Sequence, residues 1–285
     1  MNARNGAKRI PLGLVVTAAI FLHHNAMAVS TVNLGTASSF SILAGSKISD
    51  AGGASTIVTG NVGLYPSTGA AIGLTAGQAP GGTIYTAETS GGLLNTAKND
   101  LTTAYIDAAA RQVSTYYTSV LDNQLGGKTL SPGVYNFGHA DTANLIGTLT
   151  LDAQNDPNAV WIFQATSDLI TASDSTVALI RDAQACHVFW QVSSSATIGT
   201  SSDFVGSIMA DQSIALQTGA TLHGSALARI AAVTLDHNTI IKANCIDDST
   251  GGPGGTAVPD GGSTLLLFSF GLGILVAFKR KLSRV

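Results

Sequence analysis

The chain has 285 residues, of which 45% are hydrophobic and 11% charged, with a formal net charge of −3. A soluble domain is ordinarily about 25% charged, so most of this surface has to be made from uncharged groups. The slight acidic balance excludes a basic field for nucleic acid, and the length fits one large domain or two small ones.

The chain opens MNARNGAKRIPLGLVVTAAIFLHHNAMAV. Arg4, Lys8 and Arg9 precede an apolar run from Ile10 to Leu22, which closes on Ala26-Met27-Ala28. That basic, apolar, small-x-small order predicts a secretory signal over 1–28, with the exported chain beginning at Val29. Residues 37–69 alternate apolar with small residues and are broken by glycines, which predicts short strands joined by turns. Residues 92–127 have another texture. Leu94, Ala97, Leu101, Ala104, Tyr105, Ala108, Tyr116, Val120 and Leu121 stand mostly three and four apart. This spacing predicts an amphipathic helix between Gly91-Gly92 and Gly126-Gly127, with a break near Ser114 and Thr115.

Strands resume after it, with Pro-Gly and Asp-Pro turns. The stretch from Ile162 aligns with that from Phe189 at an offset of 27, and 196–210 aligns with 214–228 at an offset of 18. In the second pair Ile198 matches Leu216, Thr200 matches Thr218, Phe204 matches Leu222, and Gly206 matches Gly224. Residues 233–245 supply a further coil. A short fixed period signals stacked coils that bury a shared core. At about 3.3 Å per residue, such a coil traces about 60 Å, enough for three short sides. Ile198, Phe204, Ile208, Leu216, Leu222, Leu227, Leu235 and Ile240 are the expected inward residues, with the helix covering one side. The extra loop of the longer repeat holds Cys186. The last coil is expected to expose a strand edge, guarded by Lys242 and by Cys245.

Cys186 and Cys245 are the two cysteines, and an exported chain with an even count predicts one disulfide. It would close a loop of roughly 60 residues, worth about 4 kcal/mol in the chain-entropy treatment. No Cys-x-x-Cys or His-x-x-x-His spacing suggests a metal. A Gly-rich linker over 247–257 leads to residues 258–285, where Val258-Pro259-Asp260-Gly261-Gly262 precedes an apolar run from Leu265 to Phe278 and a basic end. This tail resembles the PEP-CTERM sorting signal of bacteria in its VPDSG form, with Gly261 where that form has Ser. The resemblance implies an exosortase-type processing enzyme as a partner and a chain that is secreted or held at a bacterial cell surface.

Colinear stretches between residues 32 and 245 also resemble one family. They are VNLGTASSFSILAGSKISD (32–50), TGNVGLYPSTGAAI (59–72), LTTAYIDAAAR (101–111), TLSPGVYNF (129–137), LTLDAQNDPNAVWIFQ (149–164), HVFWQV (187–192) and GSALARIAAVTLDHNTI (224–240). Together they resemble the DUF3494 ice-binding proteins. For residues 29–246 the resemblance implies a mainly β fold, a discontinuous right-handed parallel β-solenoid of triangular section with one long helix alongside. It implies no catalysis and an outward β-face that meets ice; no cofactor is expected. Thr218-Gly219-Ala220-Thr221 fits the family's Thr-Ala/Gly-x-Thr/Asn pattern, whereas Thr200-Ser201-Ser202-Asp203 keeps its first residue and Ser173-Asp174-Ser175-Thr176 its last. The expected ice contacts are Thr218 and Thr221, then Thr200, Ser202 and Thr239. Side chains alternate along a strand, so Thr218 and Thr221 can share a surface only if the chain turns between them.

Two rival readings compete with ice binding by a monomer. A flat Thr/Ser/Gly face could instead meet a surface polysaccharide, as an adhesin or biofilm-matrix component. A β-helix lyase or hydrolase would need clustered acids, but Asp152, Asp156, Asp168, Asp174, Asp203 and Asp236 are dispersed along the chain.

Overall fold

The computed structural model describes residues 29–113, 115–116, 123–137 and 142–245. The expected signal segment and sorting tail lie outside the described residues. The solenoid belongs to the first of two units, Met1–Ala243; the second, Asn244–Val285, has only Asn244 and Cys245 among the described residues.

All the strand pairings among the described residues are parallel, and they build three walls. One wall carries Gly133–Asn136, Trp161–Ala165, Val188–Val192, the second halves of Asp203–Ala210 and Thr221–Ala228, then Phe40–Ala44, Asn61–Leu64 and Ile84–Tyr85. A second consists of three-residue strands, from Ala143–Leu145 through Leu169–Thr171, Ala196–Ile198, Ile214–Leu216 and Val233–Leu235 to Ile48–Asp50. The third runs from Thr129–Leu130 and Thr148–Asp152 through Thr176–Ile180 and the first halves of the two long strands to Thr239–Ile241 and Ile57–Thr59. We call these the covered, short and threonine walls.

The 18-residue register is realised residue for residue: Asp203 pairs with Thr221, Phe204 with Leu222, and onward to Ala210 with Ala228. These two strands pass unbroken from the threonine wall onto the covered wall. Gly206 and Gly224 stand where they bend. Gly206 has φ +112°, and a Cβ on Gly224 would lie 1.9 Å from the Gly206 carbonyl oxygen. Only glycine fits that approach. The earlier coils turn the same corner with loops, and Cys186 sits in one of them, in the short 3₁₀ turn Ala185–His187. Those loops account for the offset of 27. Cys186 and Cys245 are both disulfide-bonded, and no cysteine is free.

Alternation puts one apolar set inside. Val177, Phe204, Leu222 and Ile240 line the threonine wall's inner side, and Ile198, Leu216 and Leu235 that of the short wall. The covered wall contributes rings that stack from coil to coil and end against Phe204 of the threonine wall. Tyr135 and Phe163 lie 5.5 Å apart between centroids, Phe163 and Trp190 4.0 Å, and Trp190 and Phe204 4.9 Å. The buried indoles keep a polar contact, as such groups must: Trp190 Nε1 donates to the Val205 carbonyl at 2.9 Å and Trp161 Nε1 to that of Leu130 at 3.2 Å.

Leu227, expected to point inward, belongs to a second apolar layer. With Phe40, Leu43, Ile162, Phe189 and Met209 it faces out of the solenoid and is buried with Leu94, Ala97, Leu101, Ala104 and Ala108 of the helix. The helix spans Ala87–Ala110, with non-helical geometry at Ser90 just before the glycine pair. It ends well short of Gly126, and Thr115–Tyr116 is already a strand. Val113, Thr115 and Tyr116 are β-branched or aromatic and favour extended backbone. Buried Gln164 closes the helix end by donating to the carbonyls of Ala108 at 2.8 Å and Arg111 at 3.1 Å. Midway, Lys98 Nζ donates to the carbonyls of Ala228 at 2.7 Å and Arg229 at 2.5 Å, and burial draws its pKa down to about 8.

The expected exposed edge on the last coil does not exist. Val233–Leu235 pairs with Ile48–Asp50, Thr239–Ile241 with Ile57–Thr59, and Thr221–Ala228 with Phe40–Ala44. The N-terminal segment therefore stacks on the C-terminal coil, and the solenoid is discontinuous in chain order. Every strand in the middle of the stack has a neighbour on both sides, which removes the edge. Lys242 instead donates its backbone N–H to Thr59 Oγ1 at 3.0 Å.

Candidate functional site

The corner between the short and threonine walls is built from one four-residue turn, repeated. Its second residue is Asp174, Ser201, Gly219 or His237, with φ of +59°, +56°, +73° and +54°. This left-handed step resets the alternation and supplies the turn that the 218–221 spacing requires. Its third residue, Ser175, Ser202, Ala220 or Asn238, is buried. Ser202, expected on the outer surface, is 1% exposed, and its hydroxyl donates to the Ala172 carbonyl at 2.9 Å. Asn238 Nδ2 likewise donates to the Gln217 carbonyl at 2.7 Å. The first residues, Thr200, Thr218 and Asp236, stack along the corner through backbone bonds from Ser201 to Thr218 and from Gly219 to Asp236. Thr218 donates its hydroxyl to Asp236, and this bond, followed by that from His237, holds the Asp236 carboxyl below the usual carboxylate range.

The fourth residues open the threonine wall. Thr148 pairs with Thr176, Thr176 with Asp203, Asp203 with Thr221, Thr221 with Thr239, and Thr239 with Ile57. All of them face outward beside buried neighbours. Two residues further along each strand, as a second column, stand Thr150 and Ala178, which pair, and then Val205, His223, Ile241 and Thr59, which pair in turn; all but Val205, which is buried at 6% exposure, reach the surface. Thr129 extends it by pairing with Thr150. No hydrogen bond among the described residues takes the side-chain hydroxyl of Thr129, Thr148, Thr150, Thr176, Thr221 or Thr239, so these groups point unpaired at solvent. Neighbouring coils repeat every ~4.8 Å, and the two columns lie ~6.6 Å apart along the strands. The wall is thus a grid of stiff β-branched stems, each carrying a methyl and a hydroxyl.

One pair of polar side chains interrupts the grid. Asp203 Oδ1 lies 3.3 Å from His223 Nε2 on the next coil, diagonally across the two columns. On the short wall the middle outward column is Ser49, Thr234, Ala215, Thr197, Ile170 and Asn144, poorer in threonine. The covered wall is sealed by the helix.

Among the described residues this surface assembles no acid pair. Asp152 is bound by Arg181 and Asp211 by Arg229, while Asp168 accepts from the Ser195 backbone N–H at 3.0 Å. Of the expected contacts, Thr221 and Thr239 are direct neighbours on the threonine wall, Thr200 and Thr218 stand together on its corner, and Ser202 lies beneath. Thr129, Thr148, Thr150 and Thr176 were not singled out by sequence reasoning as contacts. Thr148 precedes Thr176 by 28 residues and Thr176 precedes Asp203 by 27, so the 18-residue period hides them.

Residues 42–241 match the family described as Ice-binding-like, and residues 257–282 match the VPDSG-CTERM motif. The chain is 37% identical over 270 residues to an ice-binding protein of Nostoc sp. (strain HG1), covering 94% of each chain. It is 35% identical over 217 residues to an ice-binding protein of Flavobacterium frigoris (strain PS1), covering 73% of this chain and 75% of that one. Among solved structures it is similar to an ice-binding protein from an Antarctic biological consortium, with a TM-score of 0.69 and 37% identity, covering 83% of this chain and 97% of the other.

Proposed function

We propose that this chain, which belongs to the ice-binding-like family, adsorbs to ice through its threonine wall. The observation that carries the reading is the column Thr148, Thr176, Thr221 and Thr239, held in register by parallel pairing, with every hydroxyl free. Such a surface holds water at fixed spacings without the mobile hydration of charged side chains. Thr218 and Thr200 would extend the contact onto the corner. The small amount of charge on the wall, the free hydroxyls and the relatives all support the reading.

The protein acts outside the cytoplasm in this account. Cleavage after Ala28 releases the folded domain on the far side of the membrane, and an exosortase-type enzyme processes the tail. No catalytic step is assigned. The dispersed carboxylates, of which Asp152, Asp168, Asp211 and Asp236 each hold a separate partner, do not form the acid pair that a hydrolase or lyase needs.

Ice recrystallisation in the presence of the exported chain tests this function. Crystals that stay small at protein concentrations where an inert protein of equal size lets them coarsen are the expected result. Coarsening at the inert rate would refute the reading.

A further inference from the structure

We infer that the Asp203–His223 pair limits the area over which the threonine wall meets ice, holding the chain's ice affinity below what its scaffold can support. The inference rests on the reading of that wall as the ice-facing surface. Asp203 occupies the one position between Thr148 and Thr239 in the first column that is not threonine. It leaves two threonine neighbours on each side and cuts the row in half. His223 stands in the second column one coil on, between Val205 and Ile241. The side chains are 55% and 41% exposed, so both project from the wall rather than lying within it.

The pair does little else. Neither side chain makes another hydrogen bond among the described residues, and an exposed polar pair of this kind contributes little to stability. The backbone below is in unbroken register with the coil that carries Thr221, and Asp203 itself pairs with Thr176 on the other side. A threonine at 203 would meet the same cross-strand environment as Thr176 and Thr221, and threonine neighbours suit such positions. The carboxylate and imidazole, by contrast, orient their own water, and that water does not follow the methyl and hydroxyl spacing of the column. Removing charge costs the fold no buried partner, because none is present.

The experiment compares the exported chain with Asp203→Thr/His223→Thr and with the near-isosteric Asp203→Asn/His223→Gln. It reads thermal hysteresis and partitioning into a slowly grown ice shell, with circular dichroism as the folding control. The expected result is a several-fold rise in hysteresis for the threonine variant and a smaller rise for the amide variant. A folded threonine variant with unchanged or lower hysteresis, beside a wild type that partitions into ice, overturns the inference and leaves the ice reading intact. A wild type excluded from ice beside a threonine variant that enters it upholds the inference and overturns the reading of the native function. Exclusion of every folded form overturns both. If the threonine variant fails to fold, the amide variant decides: a gain upholds the inference, and no gain overturns it.

Discussion

Thr218 and Thr221 lie three residues apart yet present different chemistry to solvent. The Thr218 hydroxyl is bound to Asp236 one coil away, whereas the Thr221 hydroxyl has no partner among the described residues. Thr218 stands on the corner beside the threonine grid, and Thr221 belongs to its in-register column. Thr221→Tyr is therefore expected to lower ice partitioning sharply, while Thr218→Val lowers it slightly. Exposed substitutions of this kind typically shift stability by less than about 0.5 kcal/mol, so both variants should melt near wild type. Thr197→Tyr, at the centre of the short wall, is the control and should partition normally. Equal losses at 197 and 221 would mean that the threonine wall is not the surface used.

Thr218→Val has a second consequence. The Thr218 hydroxyl is the main cause of the lowered Asp236 pKa. A carboxyl lowered in the folded state stabilises it above the unfolded pKa, and that contribution disappears as pH falls through the folded value. Without its donor, Asp236 should titrate closer to an ordinary aspartate, and the acid limb of stability should begin at higher pH. A carboxyl titration followed by NMR checks this; an unchanged Asp236 midpoint would contradict the assigned bond.

Lys98 gives a test at the other end of the scale. Burial draws its pKa from 10.5 to about 8. Below pH 8 the ammonium is carried in both folded and unfolded chains, and the folded state bears the full cost of burying it. Between about 8 and 10.5 the unfolded chain binds the extra proton, so stability rises with pH through this window. Against Lys98→Met, wild type should gain with pH by about 3 kcal/mol at most, read from denaturant midpoints at pH 7.5 and 10.5. A constant gap would show that the Lys98 amine stays exposed.

The glycine corner can be tested by stability alone. Gly224→Ala places a methyl 1.9 Å from the Gly206 carbonyl oxygen, so the two long strands must part where they bend. A loss on the order of 2–4 kcal/mol is expected, in the range reserved for named packing faults, and thermal melting measures it. Melting within a degree of wild type would mean that the bend relaxes freely.

Much of this architecture is legible in the chain because each coil repeats the same physical demands. Ile198 and Leu216, or Gly206 and Gly224, match in sequence because they meet the same inner core or the same corner. The docking of Phe40–Ala44 on Thr221–Ala228 has no such local signature, since it joins segments about 185 residues apart. Ser202 looked like a surface hydroxyl because serine is ordinarily exposed; the left-handed turn at Ser201 rotates it inward, where Ala172 accepts its proton. Thr148 escaped notice, and Thr176 was seen only as the last residue of a degenerate pattern, because the earlier coils carry loops that stretch the period.

Partitioning of the fluorescently labelled exported chain into a growing ice shell tests the central claim most directly. Wild type is expected to be overgrown and concentrated in the ice, with Thr221→Tyr left largely in the liquid at unchanged circular dichroism. Exclusion of folded wild type, as for an inert protein, would contradict ice binding and leave polysaccharide adhesion as the reading of this wall.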